Sequence, residues 1–364
     1  MAATMQNYAR STFLSDIITV PAFTQYVKEA IFERSLFVQS GAVVRNSALD
    51  ARSGGVKVEV PTWKPLNPTE TVIKSDATWG GDGTTTGYLD PKKIEAGKQV
   101  MPILHRGWAM AADDLSRLGA GTDPMAAIRS YTADAINKQK ETALLSQLSG
   151  LYIGGSAPLA ALTTDVAEAS AGDGAAANFL TAGSAIAARS TLGERSSTLS
   201  IIIMHSAMYH YLLQAGMLTF SSETLSTGEE IKWGGGGIGL TTRDVAFFAG
   251  MRIIVTDNIQ PVAGGTTGAP NKYPVYMCSE GAIAEGVQQE LKIEADRNIL
   301  SLQDVMAVSM HYGYHLQGTG YKGADNPTNT VLGTNGSWEL IFTDARNIEM
   351  VCLLCNSPYG GKYG

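Results

Sequence analysis

Residues 122–150 read TDPMAAIRSYTADAINKQKETALLSQLSG, and this stretch decides the fold. Thr122-Asp123 can cap a helix, and Pro124 fits its first position, where no backbone N–H is needed. Met125, Ile128, Tyr131, Ala135, Ile136, Leu144, Leu145 and Leu148 then recur at helical spacing. Gly150 stands where such a helix would end. The spacing predicts a helix over 124–149. At roughly 1.5 Å per residue it is about 37 Å long, a strut rather than an ordinary surface helix.

Upstream the period changes. Val56, Val58 and Val60 alternate with Lys57, Glu59 and Pro61, which is the strand period of two. The run Gly80-Gly81-Asp82-Gly83-Thr84-Thr85-Thr86-Gly87 is turn material, and a return stretch follows over 93–104 with Ile94, Lys98 and Val100. Residues 54–104 therefore form a long two-stranded ribbon with a polar tip, and such a ribbon needs a partner surface to be stable. Before it, Pro21 opens a helical pattern of Phe23, Tyr26, Val27, Ala30 and Ile31 that Gly41 can stop, so residues 1–53 are an arm, helical in part.

Downstream, residues 154–198 are rich in small residues, with a short helix over 184–192. LSIIIM at 199–204 is a buried strand. Ser206 can cap a helix that carries Tyr209, Leu212 and Leu213 and ends at Gly216, and 234–237 is a loop. Strands follow at Met251–Val255, Tyr273–Cys278, 288–295, 305–314, 338–342 and 348–354. No repeat of fixed period is visible. Helices and antiparallel-looking strands without βαβ alternation give an α+β class.

Composition narrows the function. The chain has 364 residues, 44% of them apolar and 17% charged, which suits a packed core and not a disordered chain. Its net charge of −7 argues against a nucleic-acid reader built on a basic surface. Cys278, Cys352 and Cys355 are too few for a disulfide framework, which points to a reducing compartment at synthesis. The start MAATMQNYARS has no basic segment followed by an apolar one, so no signal peptide is expected. No apolar run reaches the roughly 18 residues of a membrane span. The sequon at Asn335-Gly336-Ser337 carries no weight in a chain that does not meet the glycosylation machinery.

Candidate chemistry is thin. Gly318-Thr319-Gly320-Tyr321-Lys322-Gly323 fits G-x-G-x-x-G, but Ala324-Asp325-Asn326-Pro327 follows instead of a helix, so it reads as a plain loop. The run 234–239 lacks the Lys-Ser/Thr pair of a phosphate loop. Cys352 and Cys355 make a lone C-x-x-C; on a strand their sulfurs point to opposite faces, and no second pair completes a zinc site. His205 and His210 lie about 140° apart on a helix and do not converge. His311 and His315 share a strand face without a carboxylate at ligand spacing. Asp113-Asp114 reads as a solvated turn. A hydrolase would have to use His205, Ser206 and a nearby Asp, with no G-x-S-x-G elbow to present the nucleophile. No catalytic, cofactor or metal residue is assigned. An arm, a ribbon and a strut that cannot all bury their apolar faces within one chain imply burial between copies.

Several stretches, in this order, carry a resemblance: 107–150 with its turn and long helix; STLSIIIMHSAMYHYLLQAGML at 197–218; AGMRIIVTDNI at 249–259; CSEGAIAEG at 278–286; IEADRNILSLQDVMAVSMHYGYHLQG at 293–318; and SWELIFTDARNIEMVCLLCN at 337–356. The chain resembles the major capsid proteins of tailed double-stranded DNA bacteriophages, with the Hong Kong 97-type fold. Leu316 after His315 departs from the Pro of similar sequences. The resemblance implies an arm (1–53), an extended loop (54–104), a peripheral domain on the spine helix 124–149 (105–179), an axial domain (180–300) and a return to the peripheral domain (301–364). It implies hexamers and pentamers of the chain itself, closing an icosahedral head around double-stranded DNA that the shell touches weakly. Scaffolding, portal and decoration proteins are the further partners. No membrane and no cofactor are implied. The site of action is the virion, after synthesis in the host bacterial cytoplasm. Some relatives crosslink through a ribbon lysine; Lys92, Lys93 and Lys98 are near the ribbon and nothing marks one of them. Two other classes remain. An encapsulin-like shell shares the fold and would enclose a cargo enzyme, and the His205/Ser206 hydrolase would act on esters or peptides.

Overall fold

The computed structural model describes residues 11–12, 41–50, 55–66, 93–114, 124–167, 178–221, 245–264, 270–299 and 301–359. The expected arm helix near 21–31, the Thr122-Asp123 cap, the ribbon tip, Lys92 and the 234–239 run lie outside these residues.

In chain order, β1 (Ser11–Thr12) and β2 (Val43–Arg45) precede the ribbon strands β3 (Lys57–Trp63) and β4 (Ala96–Pro102). β5 (Leu104–Asp113) leads to the strut α1 (Pro124–Tyr152) and then to β6 (Thr163–Asp165). Helix α2 (Ala182–Ser190), β7 (Ile201–Met204), α3 (Ser206–Gln214), β8 (Thr219–Ser221), β9 (Val245–Phe248), β10 (Met251–Val255) and β11 (Tyr273–Cys278) follow. A long hairpin of β12 (Ile283–Asn298) and β13 (Gln303–Leu316) comes next, then β14 (Thr319–Tyr321), α4 (Asn329–Leu332), β15 (Trp338–Leu340) and β16 (Met350–Cys355).

Two sheets result. One has five strands in the order β1-β5-β13-β12-β2, the other seven in the order β6-β16-β11-β7-β10-β9-β8. Both are mixed: β1 pairs parallel with β5 and β2 with β12 in the first, β7 with β10 and β16 with β6 in the second. The expectation of antiparallel-looking strands is corrected for β7 and β10, because the chain leaves β7 through α3 and returns beside it by way of the β8–β9 antiparallel pair. β7, β11 and β16 are buried along their whole length, as expected for continuous apolar strands in the middle of a covered sheet.

The strut joins the sheets. Its first half is one-sided, with Met125, Thr132 and Ile136 buried; its second half is buried nearly all round through Ala143, Leu144, Leu145, Gln147 and Leu148. Gln147 Nε2 donates to the Tyr314 carbonyl of β13 at 3.1 Å, and Tyr152 OH donates to the Met350 carbonyl of β16 at 2.9 Å. One continuous apolar cluster runs through both sheets and this helix.

Several expectations are corrected. The helix passes through Gly150 and ends at Tyr152. Gly150 is required there for close approach: a Cβ would lie 2.2 Å from the Leu332 carbonyl and 2.9 Å from Trp338 Nε1. The cap of α3 is His205, whose ring accepts from Ala207 N–H, and not Ser206. Residues 319–321 are a strand paired with β15, not a loop. Asp113 closes β5, and Asp114 pairs with Arg297 of β12 in place of a solvated turn. The hairpin strands are longer than 288–295 and 305–314, while β15 and β16 are shorter than expected.

Candidate assembly surfaces

The residues a hydrolase would need form a helix cap. His205 Nδ1 accepts the Ala207 N–H at 3.0 Å, so its lone pair is committed to backbone. Its Nε2 lies 3.8 Å from Asp257 Oδ1, and that same oxygen accepts the Ser206 N–H at 3.2 Å. Burial holds the imidazole below its ordinary pKa, against the opposing pull of Asp257. This arrangement satisfies orphan N–H groups at the start of α3 and leaves no base for a nucleophile.

The other singled-out groups are equally structural. Cys352 and Cys355 lie on β16, three apart and buried, with Cys355 Sγ 3.3 Å from Met208 Sδ. Burial raises both thiols, and pushes Cys278 up to about 12. Gly318 to Gly323 meets no helix N-terminus. Among the described residues no group of three His, Cys, Asp or Glu could hold a metal, and no helix is long and apolar enough to cross a membrane.

What the fold does present is apolar surface on projecting elements. On the ribbon, Trp63 is 69% exposed, and Leu66 and Ile94 are exposed beside it. Lys98 pairs across the ribbon with Glu59 at 2.6 Å, and Lys93 stands 3.9 Å from Glu95. Beneath Trp63 a groove of about 410 Å³ runs to Ile341, Phe342, Arg195 and Glu349. The far half of the β12–β13 hairpin exposes Leu291, Ile293, Ile299 and Leu302, with Ile299 at 76%.

The ribbon root is seated by three histidines and two glutamines. β4 crosses the outer face of the five-stranded sheet so closely that a Cβ on Gly313 would lie 2.5 Å from the Pro102 carbonyl. His315 meets Gln99 Oε1 of β4 at 2.8 Å; that oxygen also accepts the Gly318 N–H at 2.7 Å, and Gln99 Nε2 donates to Thr62 Oγ1 of β3 at 2.8 Å. His311 Nδ1 meets Gln288 Oε1 at 3.2 Å, and Gln288 Nε2 donates to the Gly55 carbonyl at 2.9 Å. His311 stacks on its cross-strand neighbour His105 with centroids 4.1 Å apart. The sequence placed His311 and His315 on one face and the structure agrees, but His105, Gln99 and Gln288 carried no local signal.

The sequence profile of the Gp13-like family, described as major capsid protein 13-like, matches residues 90–349. The major capsid protein of Bacillus phage SPP1 is 26% identical over 352 residues, covering 93% of this chain and 97% of that protein. Among solved structures, the capsid of Ralstonia phage GP4 aligns with a TM-score of 0.57 at 12% identity, over 98% of each chain. The capsid asymmetric unit of cyanophage Pam1 aligns with a TM-score of 0.54 at 11% identity, over 94% of this chain and 98% of that one. These likenesses show the fold: it is the α+β, Hong Kong 97-type capsid fold that the sequence resembled.

Proposed function

The chain belongs to the Gp13-like family of major capsid proteins, and from that premise we propose how its copies close a shell. Its role is structural, in the phage virion, and not enzymatic. Copies synthesised in the host bacterial cytoplasm form hexamers and pentamers, and these close an icosahedral head around double-stranded DNA. The observation that carries this reading is the exposed apolar surface on the two projecting elements, the ribbon at Trp63 and the hairpin at Ile293 and Ile299. Ring closure needs one patch to meet a different patch on the next copy, and a ribbon reaching across a neighbour supplies such a contact. Scaffolding, portal and decoration proteins complete the particle.

The layout follows the same premise. An arm (1–53) and the extended loop (54–104) serve contacts between copies. A peripheral domain (105–179 and 301–364) is built on the strut, and an axial domain spans 180–300; across these bounds β6 and β16 pair into the seven-stranded sheet, and β12 pairs with β13 in the five-stranded one. The net charge of −7 suits a wall that does not grip phosphate, since repulsion reaches about one Debye length, roughly 10 Å at 0.1 M salt.

Electron microscopy of the purified chain, alone and co-expressed with its neighbouring phage proteins, tests this. Closed particles are expected, holding nuclease-protected DNA when taken from infected cells. A chain that stays monomeric at every concentration, with and without helpers, would overturn it. Particles filled with a cargo enzyme would replace it with the encapsulin-like alternative.

A further inference from the structure

We propose that the ribbon root is an acid-sensitive latch: His311 and His315 hold β3 and β4 on the outer face of the sheet only while both rings are neutral. Each ring reaches the ribbon through a glutamine, His311 through Gln288 to the Gly55 carbonyl and His315 through Gln99 to Thr62. Both glutamine oxygens are already committed as acceptors, Gln99 Oε1 to two donors. Because a glutamine oxygen only accepts, His315 Nε2 and His311 Nδ1 carry the first proton; a second would go to the opposite nitrogen of either ring, leaving both glutamine contacts in place but adding a charge to a buried site.

The charged and titratable surroundings offer no relief. From β5 comes His105, stacked face to face on His311, with its Nε2 buried and without a hydrogen-bond partner. Arg106 of β5 turns its guanidinium to Asn326, the Pro327 carbonyl and Asn329. From β12 come the neutral Gln288 and Gln289 and, on the Lys140 side of the sheet, Glu285. From the ribbon come Lys57, bound to Asp325, and Lys98, bound to Glu59. Among the described residues no carboxylate stands within ion-pair distance of the three rings. An imidazolium on His311 would face the His105 ring with no counter-charge.

The pull toward release follows from the sign of the shift. Burial pushes His315 down to about 4 from an ordinary 6.5, and burial together with His105 lowers His311. The seated ribbon thus binds fewer protons than the lifted one between these pH values, so seating is full above about 6.5 and is lost as pH falls toward 4. β4, which carries Gln99 and lies over Gly313, supplies part of the cover that keeps His315 7% exposed, and lifting it would hydrate the ring. Its shift of about 2.5 pH units corresponds to a roughly 300-fold gain in lifted ribbon. The latch acts within one chain and does not depend on shell closure.

The test is amide hydrogen exchange with mass spectrometry on the full chain at pH 7.5, 6.5, 5.5 and 4.5, corrected for intrinsic rates. Protection at 57–63 and 96–102 is expected to fall steeply below pH 6.5, by about 70-fold between pH 7.5 and 4.5 from His315, while 143–151 of α1 holds. H315Q keeps a donor for Gln99 but cannot charge, so its ribbon should lose far less protection, and H311Q/H315Q should be flat. Ribbon protection that stays constant to pH 4.5, or falls in step with α1, would overturn the latch. So would variants that titrate like the parent chain. If H315Q does not fold, the comparison of ribbon with α1 in the parent chain decides alone.

Discussion

At the scale of single residues, position in the fold matters more here than chemical type. Gly150 sits inside α1, where glycine costs about 1 kcal/mol relative to alanine in helix propensity. It is retained against that cost because Leu332 and Trp338 occupy the space a methyl group would need; Trp338 Nε1 donates to the Leu332 carbonyl at 2.7 Å directly across from it. Gly150→Ala should therefore destabilise the chain by about 2–3 kcal/mol despite the better propensity, through overpacking against backbone. Thermal unfolding checks this, and an unchanged or raised midpoint would refute it. The sequence alone suggests the opposite role, since a glycine after a run of leucines looks like a helix stop. The distinction rests on α4 and β15, which reach Gly150 from nearly two hundred residues away. The His–Gln seat of the ribbon was hidden for the same reason: Gln99 and His315 are 216 apart in sequence, and neither has a local pattern.

At the scale of elements, legibility follows the strength of the local signal. Pro124 and an apolar stripe announced α1, and continuous apolar runs placed Met251–Val255 and Tyr273–Cys278 to the residue. The strand expected at 288–295 was missed at both ends, because Gly286 interrupts Ile283 to Val287 and Asp296-Arg297-Asn298 carries no apolar residue, so both look like loop until the partner strand is known. β14 was missed because Gly318 and Gly320 have no strand propensity; its pairing with β15 supplies what propensity does not. How α1 is fastened to the hairpin gives an element-scale prediction. Lys140 of α1 pairs with Glu285 of β12 at 2.8 Å, both side chains largely buried, and its ammonium lies 5.3 Å from the Tyr312 ring centroid. Lys140→Ala leaves Glu285 uncompensated between helix and sheet, and should cost about 3 kcal/mol in denaturant unfolding. The double replacement Lys140→Met with Glu285→Leu should recover much of that loss, since it removes both charges and keeps the volume. A double variant as unstable as the single one would mean that packing of the lysine stem, and not the orphaned carboxylate, sets the cost.

At the scale of the whole molecule, the question is why a chain with so complete a core still exposes large apolar side chains on its ribbon and its long hairpin. The core runs unbroken through both sheets, so these side chains are not left over from poor packing. Ile293 lies opposite Val308 and Ala295 opposite Met306, and both β13 partners are buried; the apolar face of the hairpin continues past the part that this chain covers. Covering Ile293 and Ile299 in a neighbour is worth about 2–4 kcal/mol per contact, too little for a stable dimer on its own. Repeated around a closed shell, with every copy held at several edges, the same weak contact becomes durable, because each later contact forms at high effective concentration. The consequence separates folding from assembly. Ile293→Asp with Ile299→Asp should leave the stability of the isolated chain within about 0.5 kcal/mol, since neither side chain is in the core. It should abolish particles, because every copy places an unpaired carboxylate in the same contact. Sedimentation of the variant beside the parent chain reads the two outcomes together. Normal particles would show that the hairpin's apolar face stays outside the contacts between copies, and the closure argument would then rest on the ribbon alone.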